Sequence, residues 1–222
     1  MTDLPFSVLP PVMLAAVESK GRTLNCLQIG ANDGSSLDPF SWCIQHCDVK
    51  AVLVEPLPGP YNALKQRYAR NDLVNVQRCA VASQDGQLDM YMFDSASSNP
   101  QSSRVASFSQ RHVEQHRESH AASNATVIKI AVPAKTVATL VTEYSLDPFD
   151  VLVVDAEGMD CQIVRDTLIS FRPYIIYFEH SNTDKTELSE TLAELERAGY
   201  MYIHTERDIL CQLHSGEALR TS

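Results

Sequence analysis

Residues 24–36 read LNCLQIGANDGSS, an apolar run followed by a polar turn that contains two glycines. A continuous apolar run is typical of a strand buried on both faces of a parallel sheet. Glycines at the end of such a strand let the backbone turn sharply and approach a ligand, and the N–H groups of the next helix then face that ligand. The stretch therefore predicts a strand, a ligand-binding turn and a helix, with an ordinary tight turn as the alternative. The turn is not the dinucleotide fingerprint, because Asn32 stands where a second glycine is needed.

Strand-like and helix-like segments alternate along most of the chain. Further strands are predicted at residues 51–54, 74–81, 90–93, 127–132, 151–154, 175–178, 200–204 and 209–213. Helices are predicted from Ser35 or Ser36 onward and at residues 61–68, 160–171 and 183–198. The alternation predicts an α/β fold with a doubly wound, mostly parallel sheet. No helix separates the last two strands, so they should form a C-terminal antiparallel hairpin at one edge.

The length of 222 residues predicts one domain. Residues 1–22 should form an N-terminal arm, whose apolar part (6–17) could pack on a partner in a homo-oligomer. Residues 95–124 are Ser-rich and should form an inserted, lid-like loop with a short helix near 108–119. In this loop His112, His116 and His120 recur at i, i+4 and i+8. On a helix they share one face and could bind zinc or nickel, but their charged neighbours favour a solvated lid helix.

The charge balance limits the classes of partner. Asp and Glu number 28 against 18 Lys and Arg, which gives a formal charge of −10. This balance argues against a nucleic-acid partner and against a membrane surface held by charge. The six cysteines include no CxxC pair and stand mostly in apolar runs, which favours free thiols in a reducing compartment. No apolar run reaches about 18 residues and no basic leader opens the sequence, so we expect a cytoplasmic protein without a membrane anchor.

Acidic side chains stand directly after three of the predicted strands: Glu55, Asp155 with Glu157, and Glu179 with His180. The carboxyl ends of parallel strands meet at one edge of a sheet, where ligands bind. Glu55 follows the glycine turn by about 20 residues, a spacing at which an acid can accept hydrogen bonds from a ribose diol. The others could orient a cationic ligand or act as a base. The alternatives are solvated surface groups and acids that favour a helix dipole.

Together, IGANDGSS, the Glu55 strand end, VDAEGMD and IIYFEH resemble the FkbM-type family of S-adenosylmethionine-dependent methyltransferases. The resemblance implies a Rossmann-like class I methyltransferase fold with seven strands and a final antiparallel hairpin. It also implies methyl transfer from S-adenosylmethionine to a hydroxyl of a sugar, a polyketide or a similar small acceptor. The cofactor-binding residues that it implies are Gln28, Gly30, Ala31, Asn32, Gly34, Ser36, Glu55, Pro56, Ala80, Val81, Asp155 and Ala156.

The resemblance also suggests which part of the cofactor each segment binds. The glycine turn matches the loop around the methionine part, Glu55 matches the acid that binds the ribose, and Ala80 and Val81 match the segment beside the adenine. The family often carries an acid where Gln28 stands. A glutamine carbonyl can still accept a hydrogen bond from the ammonium of the cofactor, but it brings no charge.

The strand-end residues also suggest a mechanism. An alcohol must lose its proton as it attacks the methyl group. We expect Asp155 or His180 to be the base, and Glu157 and Glu179 to orient the acceptor or the base. Alternatively, the four could bind a divalent metal such as magnesium. Two other functions stay open, namely a nucleotide-dependent oxidoreductase on the same sheet and a non-catalytic cofactor-binding protein.

Overall fold

The computed structural model describes residues 7–35, 38–94, 106–107, 110–115, 126–156, 158–181 and 183–214. The helices in these ranges are α1 (Leu9–Lys20), α2 (Pro39–His46), α3 (Pro58–Arg67), α4 (Gln110–Gln115), α5 (Val137–Glu143), α6 (Asp160–Ser170) and α7 (Lys185–Arg197). The strands are β1 (Leu24–Ile29), β2 (Val49–Val54), β3 (Val74–Gln77), β4 (Ala80–Val81), β5 (Gly86–Phe93), β6 (Ala106–Ser107), β7 (Val127–Lys135), β8 (Val151–Val154), β9 (Ile175–Glu179), β10 (Tyr200–His204) and β11 (Asp208–Leu213). None of these helices combines the length and hydropathy needed to cross a membrane.

The main sheet has seven strands in the order β10-β11-β9-β8-β1-β2-β3. Strands β3, β2, β1, β8 and β9 are parallel, whereas β11 runs antiparallel to both β9 and β10. The predicted doubly wound, mostly parallel sheet with a C-terminal hairpin is therefore confirmed. The strand order reverses beside β1, with β2 on one side and β8 on the other. In open sheets the crevice at such a reversal is where ligands bind.

The register of the central strands places their carboxyl ends at one level. Ile29 at the end of β1 is paired with Val54 on β2 and with Val154 on β8. Val154 is paired in turn with Phe178 on β9. The residues that follow these strands therefore emerge side by side along one edge of the sheet. This register brings the predicted strand-end acids to a common edge.

Helices cover both faces of the main sheet. Helices α1 and α2 lie on one face, where Leu9, Met13 and Phe40 are fully buried in one apolar cluster. Helices α5, α6 and α7 contribute to the cluster on the other face. The apolar side chains of α1 thus pack on the chain itself. The sequence suggested that this segment could pack on a partner, and that possibility stays a prediction; in the chain itself, Leu9 and Met13 are buried against the main sheet.

A second sheet holds β4, β5, β6 and β7 in the order β4-β7-β5-β6. From the sequence, the two long strands of this sheet could not be distinguished from strands of the main sheet. The predicted strand at residues 74–81 is divided, because β3 pairs with β2 in the main sheet while β4 pairs with β7 in the second. The chain passes between the two sheets at Arg78 and Cys79.

The described part of the predicted insertion packs on the second sheet. Strand β6 pairs with β5, and α4 lies within the predicted helical segment. Val113 on α4 is fully buried against Phe93 of β5. The side chains of His112, His116 and His120 lie outside the described residues, so both the favoured solvated helix and the alternative metal-binding face stay predictions.

Candidate functional site

Two clefts open at the carboxyl edge of the main sheet. The smaller has a volume of about 640 Å³ and lies between the ends of β1 and β2 and the second sheet. The larger, of about 1100 Å³, lies over the ends of β1, β8 and β9. Gly30, Asn32 and Asp155 line both clefts. The turn after β1 therefore forms the boundary between two adjoining binding spaces.

The close approach of two turns fixes the shape of that boundary. Gly30 has a φ of +76°, and a Cβ built on it would lie 1.7 Å from the carbonyl oxygen of Asp155. Position 30 therefore has no room for a side chain. Asn32 also adopts a left-handed conformation, with a φ of 49°, and its Oδ1 accepts a hydrogen bond from the Asp33 N–H at 2.8 Å. The turn after β1 therefore lies directly against the backbone at the end of β8, and its own shape is stabilised by the Asn32–Asp33 hydrogen bond.

Glu55 is a buried carboxylate in the wall of the smaller cleft, with 5% of its surface exposed. Its Oε2 accepts from the Asn32 N–H at 2.9 Å and its Oε1 accepts from the Leu57 N–H at 2.8 Å. Burial raises the pKa of Glu55 to about 7, although the two hydrogen bonds oppose the shift. The carboxylate therefore holds the turn after β1 and also presents an acceptor to the cleft.

Apolar side chains form most of the remaining wall of the smaller cleft: Val54, Leu57, Val81, Met90 and Ile163. The predicted residues Pro56, Ala80 and Ala156 line it as well. An apolar slot with one buried acid can take a flat base joined to a diol. The structure thus brings the predicted ribose-binding and adenine-binding residues together.

Gly34 has a different position from the other turn residues. It lines neither cleft, and a Cβ on it would lie 2.7 Å from Leu64 Cδ1 on α3. Its contacts are those of a packing residue. Ala31, another predicted cofactor-binding residue, lines the larger cleft. Two other predicted residues, Ser36 and Glu157, lie outside the described residues.

The larger cleft is lined by acidic side chains and one arginine. Asp155 and Glu179 both line it, and the Glu179 carboxylate accepts from Ser181 Oγ at 2.9 Å and from Arg207 Nη2 at 2.6 Å. Arg207 belongs to the turn between β10 and β11, and it reaches Glu179 because Asp208 is paired with Glu179 across the sheet. Sequence reasoning missed Arg207, since no local pattern connects the two positions.

His180 is placed away from both clefts. Its ring centroid lies 4.3 Å from that of His204, and its Nε2 lies 3.2 Å from the Thr205 carbonyl oxygen. Successive side chains along an extended strand point to opposite sides, so a cleft-facing Glu179 directs His180 elsewhere. Of the two predicted bases, the structure brings Asp155 to the clefts and leaves His180 beside the hairpin.

Gln28 and Asp38 form a polar pair in the larger cleft. Gln28 is 4% exposed, and its Nε2 donates to Asp38 Oδ2 at 2.8 Å. Asp38 also caps α2, because its Oδ1 accepts from the Phe40 N–H at 2.9 Å. The predicted start of this helix at Ser35 or Ser36 was therefore wrong, because its N-cap is Asp38. An Asp followed by a Pro at the first helical position is a recognised helix start and could have been read from the sequence.

Asp160 shapes the turn after β8. It is 2% exposed, and its carboxylate accepts from the Ala156 N–H at 2.9 Å and the Gly158 N–H at 3.1 Å. Burial raises its pKa to about 6. These bonds fix the backbone that carries Asp155 into the clefts.

The predicted divalent-metal alternative gains no support from the described residues. They contain no group of three or more His, Cys, Asp or Glu side chains arranged to hold a metal ion. Asp155 and Glu179 share the larger cleft, but the Glu179 carboxylate is bound to the guanidinium of Arg207.

Comparisons with known proteins place the chain among methyltransferases. The model of the methyltransferase FkbM domain matches residues 28–202. The structure of the methyltransferase FkbM from Methylobacillus flagellatus KT aligns with a TM-score of 0.52 and 12% identity, covering 86% of this chain and 43% of that one. The METTL16 MTase domain aligns with a TM-score of 0.50 and 13% identity, covering 93% and 68%. No curated protein sequence matches the chain.

At these identities the structural likeness indicates the fold alone. The chain spans less than half the length of the FkbM structure, 43% of it. The family match rests on the sequence itself and includes the turn after β1, the Glu55 strand end and the ends of β8 and β9.

Proposed function

This chain belongs to the FkbM methyltransferase family, and from that premise we propose that it transfers a methyl group from S-adenosylmethionine to a hydroxyl oxygen of a small polar acceptor. The observation that carries the proposal is the pair of clefts that share Gly30, Asn32 and Asp155. Group transfer needs two reactants that meet at a fixed boundary, and these clefts supply two spaces with one wall in common. A sugar or a polyketide alcohol is the class of acceptor we favour.

The smaller cleft fits the adenosine part of the cofactor. The side chains of Leu57, Val81 and Met90 would contact the adenine, and the Glu55 carboxylate would accept hydrogen bonds from the ribose hydroxyls. When bound, S-adenosylmethionine would supply an electrophilic methyl group, whose carbon an acceptor oxygen can attack while the bond to sulfur breaks and neutral S-adenosylhomocysteine leaves. The Asp155 carboxylate at the shared boundary would complement the positive charge of S-adenosylmethionine and favour its binding.

The larger cleft fits a polyhydroxylated acceptor. Asp155, Glu179 and Asp208 supply hydrogen-bond acceptors, and Arg207 supplies donors. We propose that Asp155 is the general base, which accepts the proton of the attacking hydroxyl, because Asp155 lines both clefts. Glu179, fixed by Arg207, would orient the acceptor. Glu157 follows Asp155 by two positions in the sequence and keeps its predicted role as an orienting residue.

We also propose that the chain forms one catalytic domain in which residues 95–124 act as a lid. Two observations support this role. Ser107 pairs with Tyr91 on β5, and Met90 of the same strand lines the smaller cleft. Limited tryptic digestion tests the lid, because cleavage within residues 95–124 should slow when S-adenosylhomocysteine is added. An unchanged cleavage rate at saturating ligand would contradict it.

Calorimetry followed by a transfer assay tests the proposed function. S-Adenosylmethionine and S-adenosylhomocysteine should bind, and NAD should not. Incorporation of tritiated methyl groups should then be screened over hydroxylated small molecules. Binding without transfer to any acceptor would favour the non-catalytic alternative, and NAD binding in place of S-adenosylmethionine would favour the oxidoreductase.

A further inference from the structure

We propose that Gln28 and Asp38 together bind the ammonium group of the cofactor's amino-acid part, with Asp38 supplying the negative charge and Gln28 a carbonyl oxygen. The assignment rests on the proposed function, since it concerns the same cofactor. It names a charged group that the predicted binding residues did not include.

The hydrogen bond between the two side chains fixes the orientation of the Gln28 amide. An ionised carboxylate only accepts hydrogen bonds, so the amide must turn its NH₂ group toward Asp38 Oδ2, 2.8 Å away. Its carbonyl oxygen then points away from Asp38. Among the described residues, this is the one hydrogen bond of the Gln28 side chain. The carbonyl oxygen is therefore left to accept a hydrogen bond from a ligand in the cleft that Gln28 lines.

The surroundings of Asp38 favour a cationic ligand. Its hydrogen-bond donors are neutral, namely the Gln28 amide and the N–H groups of Phe40 and Ser41. Within the described part of the chain, no Lys or Arg forms an ion pair with it. Burial and the nearby Asp33 raise its pKa. An ammonium group beside this carboxylate would compensate both the lost hydration and the repulsion.

The position of the pair agrees with the geometry of the cofactor. Gln28 lies on β1, two residues before Gly30 in the turn that follows this strand, and both line the larger cleft. With the adenosine in the smaller cleft, the amino-acid part of the cofactor must cross the shared boundary at Gly30 and Asn32 to enter the larger one. An ammonium group carries three N–H donors, which the Gln28 oxygen and the Asp38 carboxylate can accept together.

Binding of two ligands to purified variants tests the assignment. S-Adenosylhomocysteine keeps the ammonium group, whereas 5′-methylthioadenosine has the same nucleoside without the amino-acid part. By calorimetry, Asp38→Asn should lower the affinity for S-adenosylhomocysteine by about tenfold or more, which is the scale of a hydrogen bond to a charged group. It should leave the affinity for 5′-methylthioadenosine unchanged. Asparagine is also a good helix N-cap, so α2 keeps its cap.

Two further variants separate the charge from its position. Asp184→Asn makes the same change at the N-cap of α7, and it should alter neither affinity. The double variant Gln28→Glu/Asp38→Asn exchanges the two groups, so that position 28 carries the carboxylate and position 38 the amide. It should recover most of the S-adenosylhomocysteine affinity lost in Asp38→Asn. Recovery is a readout that a purely structural role of Asp38 would not produce.

Each outcome bears on the assignment. Equal weakening of the two ligands by Asp38→Asn, or no weakening of S-adenosylhomocysteine, would overturn it while leaving the proposed function in place. Failure of the double variant to bind better than Asp38→Asn would also count against it. A wild-type protein that binds neither ligand would instead overturn the proposed function, and the assignment with it.

Discussion

The carbonyl oxygen of Asp155 occupies the place where residue 30 would carry a side chain: a Cβ built on Gly30 would lie 1.7 Å from it. The backbones of the turns after β1 and β8 therefore lie in direct contact. This contact forms part of the boundary between the two clefts. It therefore sets the distance between the spaces that we propose for the cofactor and the acceptor.

The contact predicts that Gly30→Ala is far more harmful than alanine at another left-handed glycine. Gly21 has a similar φ of +61°, but a Cβ on it would meet nothing within 4 Å. Gly21→Ala should cost about 1 kcal/mol of unfolding free energy, from backbone strain alone. Gly30→Ala adds a clash with rigid backbone and should cost more than about 3 kcal/mol. Urea denaturation measures both, and equal losses would show that the turns are not held together.

Glu55 predicts a pH dependence of stability. Its pKa in the folded protein, about 7, lies above its ordinary value, so its contribution is fully present below the ordinary pKa and is lost as the pH rises through about 7. As the pH rises from the ordinary pKa of a glutamate to above 7, the wild-type free energy of unfolding should decline by about 3 kcal/mol or less because of Glu55. Glu55→Gln should remove this decline. Urea denaturation from pH 4 to 8 gives the free energy of unfolding of both proteins. The slope of this free energy against pH is compared between wild type and Glu55→Gln.

Asp184→Asn is the control for that slope. Asp184 is an exposed helix cap whose hydrogen bonds to the Thr186 and Glu187 N–H groups lower its pKa. Its contribution is therefore lost as the pH falls, which is the opposite sign, and removing it should leave the decline near pH 7 in place. A decline that persists in Glu55→Gln would assign the titration to another group, such as Asp160.

The two predicted bases should behave differently when replaced. Asp155→Asn should lower the rate of methyl transfer at saturating cofactor by about 100-fold or more, the usual contribution of a general base. His180→Ala should keep near-normal turnover, because its ring lies against His204 and outside both clefts. Single-turnover methyl transfer with bound cofactor measures both. The reverse ranking would return the base to His180.

Arg207 should affect the acceptor more than the cofactor. Arg207→Gln removes the ion pair that fixes Glu179 in the larger cleft. We expect the KM for the acceptor to rise by about tenfold, with the affinity for S-adenosylhomocysteine unchanged. Arg197→Gln, at the exposed end of α7, is the matched control. A loss of cofactor affinity in Arg207→Gln alone would place the arginine in the cofactor site instead.

Removal of metal ions should leave methyl transfer intact. The described residues offer no cluster of three metal-ligating side chains. Exhaustive chelation followed by the tritiated-methyl assay measures this. Loss of activity that magnesium restores would revive the divalent-metal alternative and would direct attention to Glu157.

Much of the main sheet could be predicted from local sequence. The run that became β8 is apolar throughout, β9 is apolar up to Glu179, and β1 is apolar except at Asn25 and Gln28. Such runs are typical of strands buried on both faces of a sheet. Parallel strands carry their carboxyl ends to one edge, so the positions of Glu55 and Asp155 followed from the strands themselves. The second sheet could not be predicted in this way, because pairing between β5 and β7 depends on contacts far apart in sequence.

The sequence by itself determined the fold class, the glycine turn at Gly30 and the acids at the strand ends, because these depend on residue type and local periodicity. Only the tertiary structure decided which side chains share a cleft. It brought Asp38 to Gln28 and Arg207 to Glu179, and it turned His180 away toward His204. The physical reason is that side-chain contact depends on strand register and on the direction of each Cα–Cβ bond, and both are set by packing of the whole sheet.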